Sequence, residues 1–329
     1  MSLLDRLLSR RPQVTTVTDL AMDDAELAAV RDLADAGGDW RPVARLLRQE
    51  LDADRRGTQF NTFAAAAAAD GRWLDKWLAD EPDAPEALTL QSWTLVQRAW
   101  LARGGRFARY TPAEAFRQFH RILGEAEQAS ARALAADPDE PVAWVAALWL
   151  AVGQQEGLTE FTRRWDGLRA CAPHDRLGHN AALQYLCAKW QGSHEQMYAF
   201  ARDVTDSAPA GSPLVVQIIQ AHIEYALVEN EQAATFWKRS DVRDDLAAVL
   251  RRWQSEGPHT HALALHDRSL LAFALCEAGM WEQAADLFES ADHRVYEYPW
   301  YYKAYSQRHL AEAHGRAMRH RRGRADRTA

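Results

Sequence analysis

The stretch AGMWEQAADLFESA, residues Ala278–Ala291, decides the fold of this chain. Gly279 interrupts a preceding apolar stripe of helical spacing, and glycine is the usual residue just past the end of a helix. After it, Trp281, Ala284 and Phe288 recur at intervals of three and four residues, which place them on one face of a second helix. The stretch therefore predicts two helices joined by a tight turn.

These residues resemble the packing positions of the tetratricopeptide family of helical repeats. Gly279 is similar to the family's turn glycine, and Trp281 to the aromatic residue that opens its second helix. Ala284 resembles the small residue where the two helices touch, and Phe288 and Ala291 resemble the packing positions that follow. The resemblance implies an all-α fold, an array of antiparallel helix pairs with no sheet, which binds a partner on its concave face.

Two neighbouring alanines in this stretch are expected to differ. Ala284, at the small position, should lie in a close contact between helices. Ala285 is rotated about 100° away on the same helix and should tolerate a larger side chain.

A weaker copy of the pattern surrounds Gly192. Trp190 and His194 flank this glycine, and Met197 stands where the family has a small residue. The segment Lys189–Glu195 is also similar to an actinobacterial family of repeat proteins. That resemblance implies no particular activity.

Glycine and proline alternate along the rest of the chain. A glycine, or once Asn230, ends one apolar segment and a proline follows the next, as expected for successive helix pairs. Successive prolines lie 35 to 56 residues apart, and the tetratricopeptide period is about 34 residues. We expect an N-terminal segment (1–20) with a short amphipathic helix, one repeat domain (21–318) and a disordered arginine-rich tail (319–329). The punctuating residues are Gly71, Gly105, Gly153, Gly192 and Gly279, with Pro82, Pro138, Pro173, Pro209, Pro258 and Pro299.

Two segments share the pattern P-D-x-P-x-A-(L/W)-x-x-x-x-W. One runs from Pro82 to Trp93 and the other from Pro138 to Trp149. The second proline of each fits the first turn of a helix, because its missing N–H has no partner to lose there. The repetition indicates that both segments begin helices of the same kind.

The chain is acidic, with a formal net charge of −7 over 329 residues, although six arginines and one acid lie between Gly315 and Ala329. An acidic body lacks the basic face that phosphate contacts require, so nucleic acid is not an expected partner. No run of about 18 apolar residues occurs, so no membrane span is expected. Three isolated cysteines in apolar stretches and an excess of arginine over lysine indicate a bacterial cytoplasmic protein with reduced thiols.

Catalytic and cofactor motifs are missing from the sequence. There is no G-x-G-x-x-G, no Gly-Lys-Ser/Thr loop and no His-Glu-x-x-His, so we expect no cofactor, no metal and no assigned catalytic residue. Asp241, Asp244 and Asp245 form a D-x-x-D-D pattern that resembles the magnesium-binding carboxylates of prenyl-diphosphate enzymes. The same acids follow Ser240, where negative charge stabilises a helix start, and we favour that interpretation.

One set of polar and aromatic residues is a candidate cavity or groove. His222 lies on the apolar stripe of a helix that is apolar almost all round, and histidines and carboxylates on adjacent inner helices could transfer protons or bind a ligand. The alternative is that each is a hydrogen-bonded core or capping residue, and tryptophans of this chain could fill the core equally well. The candidates are His179, Trp190, His194, Glu195, His222 and Glu224.

The function expected from this fold is that of a cytoplasmic scaffold or adaptor, which holds a protein or peptide on a concave face. The alternative is a helical enzyme or small-molecule-binding protein with a cavity lined by histidine, glutamate and tryptophan.

Overall fold

A computed structural model describes residues 13–49, 51–105, 110–229, 233–255 and 259–328, with 324–328 as backbone. This part of the chain contains sixteen α-helices and two strands of three residues each. None of the helices described combines the length and the apolar composition that a membrane span requires. The amphipathic helix expected within residues 1–11 lies outside the described residues.

The chain divides into two compact units, Leu20–Phe200 and Ala201–Ala329 with Met1–Asp19. Helix α10 (His194–Ser207) contains the boundary. Residues 21–318, which we expected to form one repeat domain, thus fall into both units. The helices of the first unit are α1 (Ala25–Gly37), α2 (Arg41–Leu47), α3 (Ala53–Ala69), α4 (Arg72–Asp80), α5 (Pro85–Arg103), α6 (Ala113–Ala136), α7 (Pro141–Gln154), α8 (Leu158–Cys171) and α9 (Arg176–Leu186).

Helix α7 is the central element of the first unit. It is apolar on every side, and ten of its residues are buried, as expected of a helix surrounded by others. It contacts α5, α6, α8 and α9, and α3 contacts both α7 and α9. Helices far apart in sequence therefore pack together, and this brings the starts of α3, α7 and α9 to one place.

The repeated P-D-x-P pattern correctly predicts two helix starts. Pro85 is the first residue of α5, and Pro141 is the first residue of α7. Glu140 caps α7, because its carboxylate accepts the Val142 amide hydrogen at 3.1 Å. The segment before α5 has Ala84 in the capping position and no side-chain cap.

One buried arginine, Arg164, joins three helices of the first unit. Arg164 on α8 is 3% exposed and donates to the Ala147 carbonyl of α7 at 2.8 Å. It also pairs with Glu127 of α6 and with Glu156 just after α7. A buried guanidinium requires several acceptors, and these groups supply them.

The second unit is built around α14. This helix contacts α11, α13, α15 and the second strand, and ten of its residues are buried. The remaining elements are α11 (Gln217–Val228), α12 (Ala233–Phe236), α13 (Ser240–Ser255), α14 (Ala264–Glu277), α15 (Trp281–Ser290) and α16 (Ser306–Thr328), with 3₁₀ turns at Pro213–Val216 and Trp300–Tyr302.

The turn at Gly279 forms as the sequence predicts. Helix α14 ends at Glu277, Gly279 has a φ of 74°, and α15 begins at Trp281. Only glycine adopts this left-handed conformation without a steric cost. Ala284 is fully buried, but so is Ala285. Burial therefore gives no reason for Ala285 to be the more tolerant of the two, because α15 is covered on more than one face.

The expectation of no sheet is also wrong. Strand β1 (Thr15–Val17) pairs in parallel with β2 (Arg294–Tyr296), with Thr16 opposite Val295. The run of β-branched residues around β1 favours an extended backbone. The sheet is confined to these two short strands among the described residues, so the chain remains all-α in class.

Helix α16 extends through the residues expected to form a disordered tail. Its backbone is helical as far as Thr328. Arg321 pairs with Asp286 and, at 3.2 Å, with Glu289, both on α15. The Arg316 guanidinium lies 4.5 Å from the Trp281 ring centroid.

Candidate functional site

His179 is a core residue of the first unit. Its side chain is 6% exposed, and its ring packs against Trp165 and Phe200. Nδ1 lies 2.7 Å from the Asp175 carbonyl oxygen, so it carries the hydrogen and donates. Burial lowers the pKa of His179 to about 4, which leaves the ring neutral at pH 7.

The other candidates of the first unit have different surroundings. Trp190 is half-buried and packs edge-on against Trp100 with 5.3 Å between ring centroids. His194 is the first residue of α10 and is half-buried, whereas Glu195 is exposed. His179 and Trp190 thus pack against different aromatic residues.

His222 and Glu224 lie on α11 of the second unit. His222 is 2% exposed, and its Nε2 lies 3.0 Å from an Asp245 oxygen. Asp245 also pairs with Arg202 through both oxygens, at 2.9 Å each. Two members of the D-x-x-D-D pattern are therefore in ion pairs, since Asp241 pairs with Arg239. Among the described residues, no group of three or more histidine, cysteine, aspartate or glutamate side chains could hold a metal ion.

Glu224 belongs to what we call the polar cluster of the second unit, formed by Gln220, Glu224, His266, Asp267 and Tyr298. Gln220 donates to Glu224 at 3.3 Å and contacts the Tyr298 hydroxyl. His266 Nδ1 lies 3.0 Å from Asp267, and its ring is parallel to that of Tyr298. Asp267 is fully buried.

A cleft of about 740 Å³ lies in the first unit, and we call it the acidic cleft. Its walls are the starts of α3, α7 and α9, the segment between α6 and α7, and the end of α8. Six carboxylates and one arginine supply its charge: Asp52, Asp54, Asp137, Asp139, Glu140, Asp175 and Arg56. A concave site of this volume falls in the range of ligand pockets.

Three of these carboxylates cap helices. Asp52 accepts the Arg55 amide hydrogen at 3.0 Å, and Glu140 and Asp175 cap α7 and α9. Capping explains why acidic residues occur at each position, because a carboxylate satisfies free amide groups and suits the positive end of the helix dipole. It does not explain why three capped helix starts line one cleft.

The floor and rim of the cleft differ in exposure. Glu140 and Asp175 are 3% and 1% exposed and form the floor, whereas Asp52, Asp139 and His174 are exposed at the rim. The acids at the rim are therefore in contact with water, whereas those of the floor are shielded from it.

Arg56 already occupies part of the floor. Its guanidinium contacts the Glu140 carboxylate, through Nε at 2.7 Å, and donates to the Leu47 carbonyl at 2.8 Å. The guanidinium carbon also lies 5.2 Å from the Phe60 ring centroid. Glu140 is thus both a helix cap and one half of an ion pair.

Asp175 is the carboxylate of the floor that lacks such a partner. Its Oδ1 accepts the Gly178 amide hydrogen at 2.5 Å, and its Oδ2 is buried with no hydrogen-bond partner. Burial raises the pKa of Asp175 to about 7, and the negative charges of Asp54 and Glu140 raise it further, while the Gly178 hydrogen bond and Arg176 lower it. A buried carboxylate oxygen without a donor is costly.

Cysteine chemistry is not favoured in this cleft. Cys171 lies on its wall, and burial raises the pKa of the thiol to about 11. The reactive thiolate is therefore scarce at neutral pH.

The candidate residues taken from the sequence do not line the acidic cleft, although His179 donates to the backbone of Asp175. The available signal was the recurrence of an acid at each helix start: Asp52 before α3, Glu140 before α7 and Asp175 before α9. Each acid is an ordinary capping residue by itself, and only the packing of α3 against α7 and α9 makes them neighbours.

No protein-family model, curated protein or solved structure matches this chain.

Proposed function

We propose that this chain is a protein-binding scaffold that holds a basic segment of a partner protein in the acidic cleft. In this proposal the helices form tetratricopeptide-like antiparallel pairs, and the first helices of three pairs are α3, α7 and α9. Such helices run in the same direction and present their starts along one edge. The location is then cytoplasmic, and the partner is a protein or peptide rather than a nucleic acid.

The observation that carries the proposal is the charge of the cleft. Six carboxylates face a single lining arginine, and a concave surface of one sign concentrates ligands of the opposite sign. Exposed acids at the rim speed the encounter, whereas buried acids on the floor contribute to how long the complex lasts. A nucleic acid would be repelled by the same charges.

Peptide binding tests the proposal directly. Fluorescence anisotropy compares labelled eight-residue peptides that carry four lysine or arginine residues with peptides that carry four glutamates. We expect the basic peptides alone to bind, with an affinity that falls as salt is added.

A matched pair of variants locates the binding. Asp137→Asn with Asp139→Asn removes two charges from the cleft, and Glu114→Gln with Glu125→Gln removes two from exposed positions of α6. We expect the first variant to weaken binding several-fold and the second to leave it unchanged. Equal binding of acidic and basic peptides, or equal loss in both variants, contradicts the proposal.

One observation favours the alternative of a small-molecule-binding protein or enzyme. In the polar cluster of the second unit, the contact between His266 Nδ1 and Asp267 fixes the ring and leaves Nε2 as a possible base. Thermal-shift screening of small metabolites against the full chain and against His266→Gln tests this function. The alternative function requires a compound that raises the melting temperature of the wild type but not that of His266→Gln.

A further inference from the structure

We infer that the acidic cleft recognises an arginine side chain of its partner, whose guanidinium donates to Oδ2 of Asp175. The inference rests on the proposed function of the cleft and specifies the chemistry of the ligand. The inference can fail while the proposed function holds, because a basic segment could bind through the rim of the cleft alone.

The hydrogen bonding of the Asp175 carboxyl group is incomplete. The side chain is 1% exposed, lines the cleft, and has one oxygen held by Gly178 and one without a donor. Buried carboxylates are ordinarily paired or fully hydrogen-bonded. Asp175 lines the cleft, so a side-chain adjustment that brings Oδ2 to the cleft surface would let an entering donor supply this hydrogen bond.

Arg56 shows how a cation binds in this cleft. Its guanidinium contacts the carboxylate of a helix cap, a backbone carbonyl and an aromatic face. Asp175 is the equivalent cap of α9, and no arginine of the described chain is hydrogen-bonded to its Oδ2. A partner arginine would complete there the ion pair that Arg56 completes at Glu140.

Arginine fits the floor of the cleft better than lysine does. A guanidinium is planar and more weakly hydrated than an ammonium group, and its charge is spread over five N–H donors. Reaching a floor carboxylate requires the cation to lose water, which costs the ammonium group more. Lysine is expected to remain at the solvated rim, near Asp52 and Asp139.

The charges that face Asp175 favour the same ligand. Asp54 and Glu140 are negative and lie close enough to raise its pKa, and Arg176 is positive and lowers it. Asp54 also accepts the Arg176 amide hydrogen at 3.1 Å. An added cation therefore relieves repulsion among three acids as well as pairing with one of them.

The experiment uses three acetylated tetrapeptide amides, tetra-arginine, tetra-lysine and tetra-citrulline, with the full chain. Citrulline has the shape of arginine without its charge. Isothermal titration measures each peptide against the wild type, Asp175→Asn and the control Glu125→Gln. Asparagine keeps an oxygen for the Gly178 amide, and circular dichroism checks that the variant is folded.

We expect tetra-arginine to bind at least about fivefold more tightly than tetra-lysine, and tetra-citrulline not to bind. Asp175→Asn should lower the affinity for tetra-arginine at least about tenfold and leave the affinity for tetra-lysine nearly unchanged. The variant should therefore lose the preference for arginine over lysine. Glu125→Gln should change neither affinity.

A second measurement does not depend on any variant. In tetra-arginine labelled with ¹⁵N, a side-chain Nε–H that donates to a carboxylate should shift downfield and exchange slowly with water when the wild-type chain is added. Equal binding of tetra-lysine and tetra-arginine, or an unshifted Nε–H signal in the bound peptide, overturns the inference and leaves the basic-segment proposal standing. Failure of both charged peptides to bind overturns both.

Discussion

Arg56 on α3 and Glu140, the N-terminal cap of α7, form an ion pair between positions 84 residues apart in the chain. Glu140 is 3% exposed, and its other oxygen holds the Val142 amide hydrogen. The same arginine reaches the Leu47 carbonyl at the end of α2. One guanidinium thus connects three helices and sets the position of the floor of the acidic cleft.

Loss of Arg56 should destabilise the first unit. In Arg56→Met the buried Glu140 carboxylate loses its counter-charge, and breaking one partner of a buried pair costs about 3–5 kcal/mol. Urea denaturation measures the free energy of unfolding. Arg56→Met with Glu140→Gln should recover part of the loss, because the glutamine can still cap α7. A double variant no more stable than Arg56→Met would show that the charge pair is not the cause.

Gly178, in the first turn of α9, should not tolerate a methyl group. A Cβ built there lies 1.9 Å from Leu168 Cδ2, which is fully buried and cannot move into solvent. Overpacking of this kind costs about 1–3 kcal/mol. Gly124, in the middle of α6, has nothing within 4 Å of its Cβ position. Gly124→Ala should therefore stabilise by up to about 1 kcal/mol, and thermal melting of the two variants should move in opposite directions.

Ala284 and Ala285 should both resist enlargement. Each is fully buried on α15, although their directions from the helix axis differ by about 100°. Ala284→Leu and Ala285→Leu should each lose about 1–3 kcal/mol in chemical denaturation. Gln283→Leu, at a half-exposed position of the same helix, should be close to neutral. A neutral Ala284→Leu would argue against the tetratricopeptide-like alignment of this turn.

Local signals in the sequence predicted local structure well. The turn at Gly279 and the helix starts at Pro85 and Pro141 follow from glycine and proline chemistry alone. The absence of a sheet was predicted wrongly, because β1 and its partner β2 are 279 positions apart by register. A three-residue strand has no amphipathic period long enough to detect.

The site was harder to predict than the fold for a similar reason. His179 and His222 stand out in sequence because they are polar residues on apolar stripes, and each is a buried residue with its own hydrogen-bond partner. The acids of the cleft do not stand out, because aspartate or glutamate before a helix is common. Their proximity depends on contacts of α3 with α7 and α9, which no local pattern contains.

The stability of the chain should depend on pH through Asp175. The pKa of this buried carboxyl is about 7 in the folded chain, against an ordinary value of 3.8. Between these values the folded state holds a proton that the unfolded state has released, so the free energy of unfolding falls as pH rises, and the loss is complete above pH 7.

Asp175→Asn removes this titration and keeps the oxygen that caps α9. Urea denaturation at pH 5, 6, 7 and 8 measures the free energy of unfolding of both proteins. Relative to the wild type, the free energy of unfolding of the variant should rise by up to about 3 kcal/mol from pH 5 to pH 8. Thr162→Ala, at an exposed position of α8, removes no titratable group and should show a constant difference from the wild type. A constant difference for Asp175→Asn as well would mean that the pKa of Asp175 is not raised to about 7 in the folded chain.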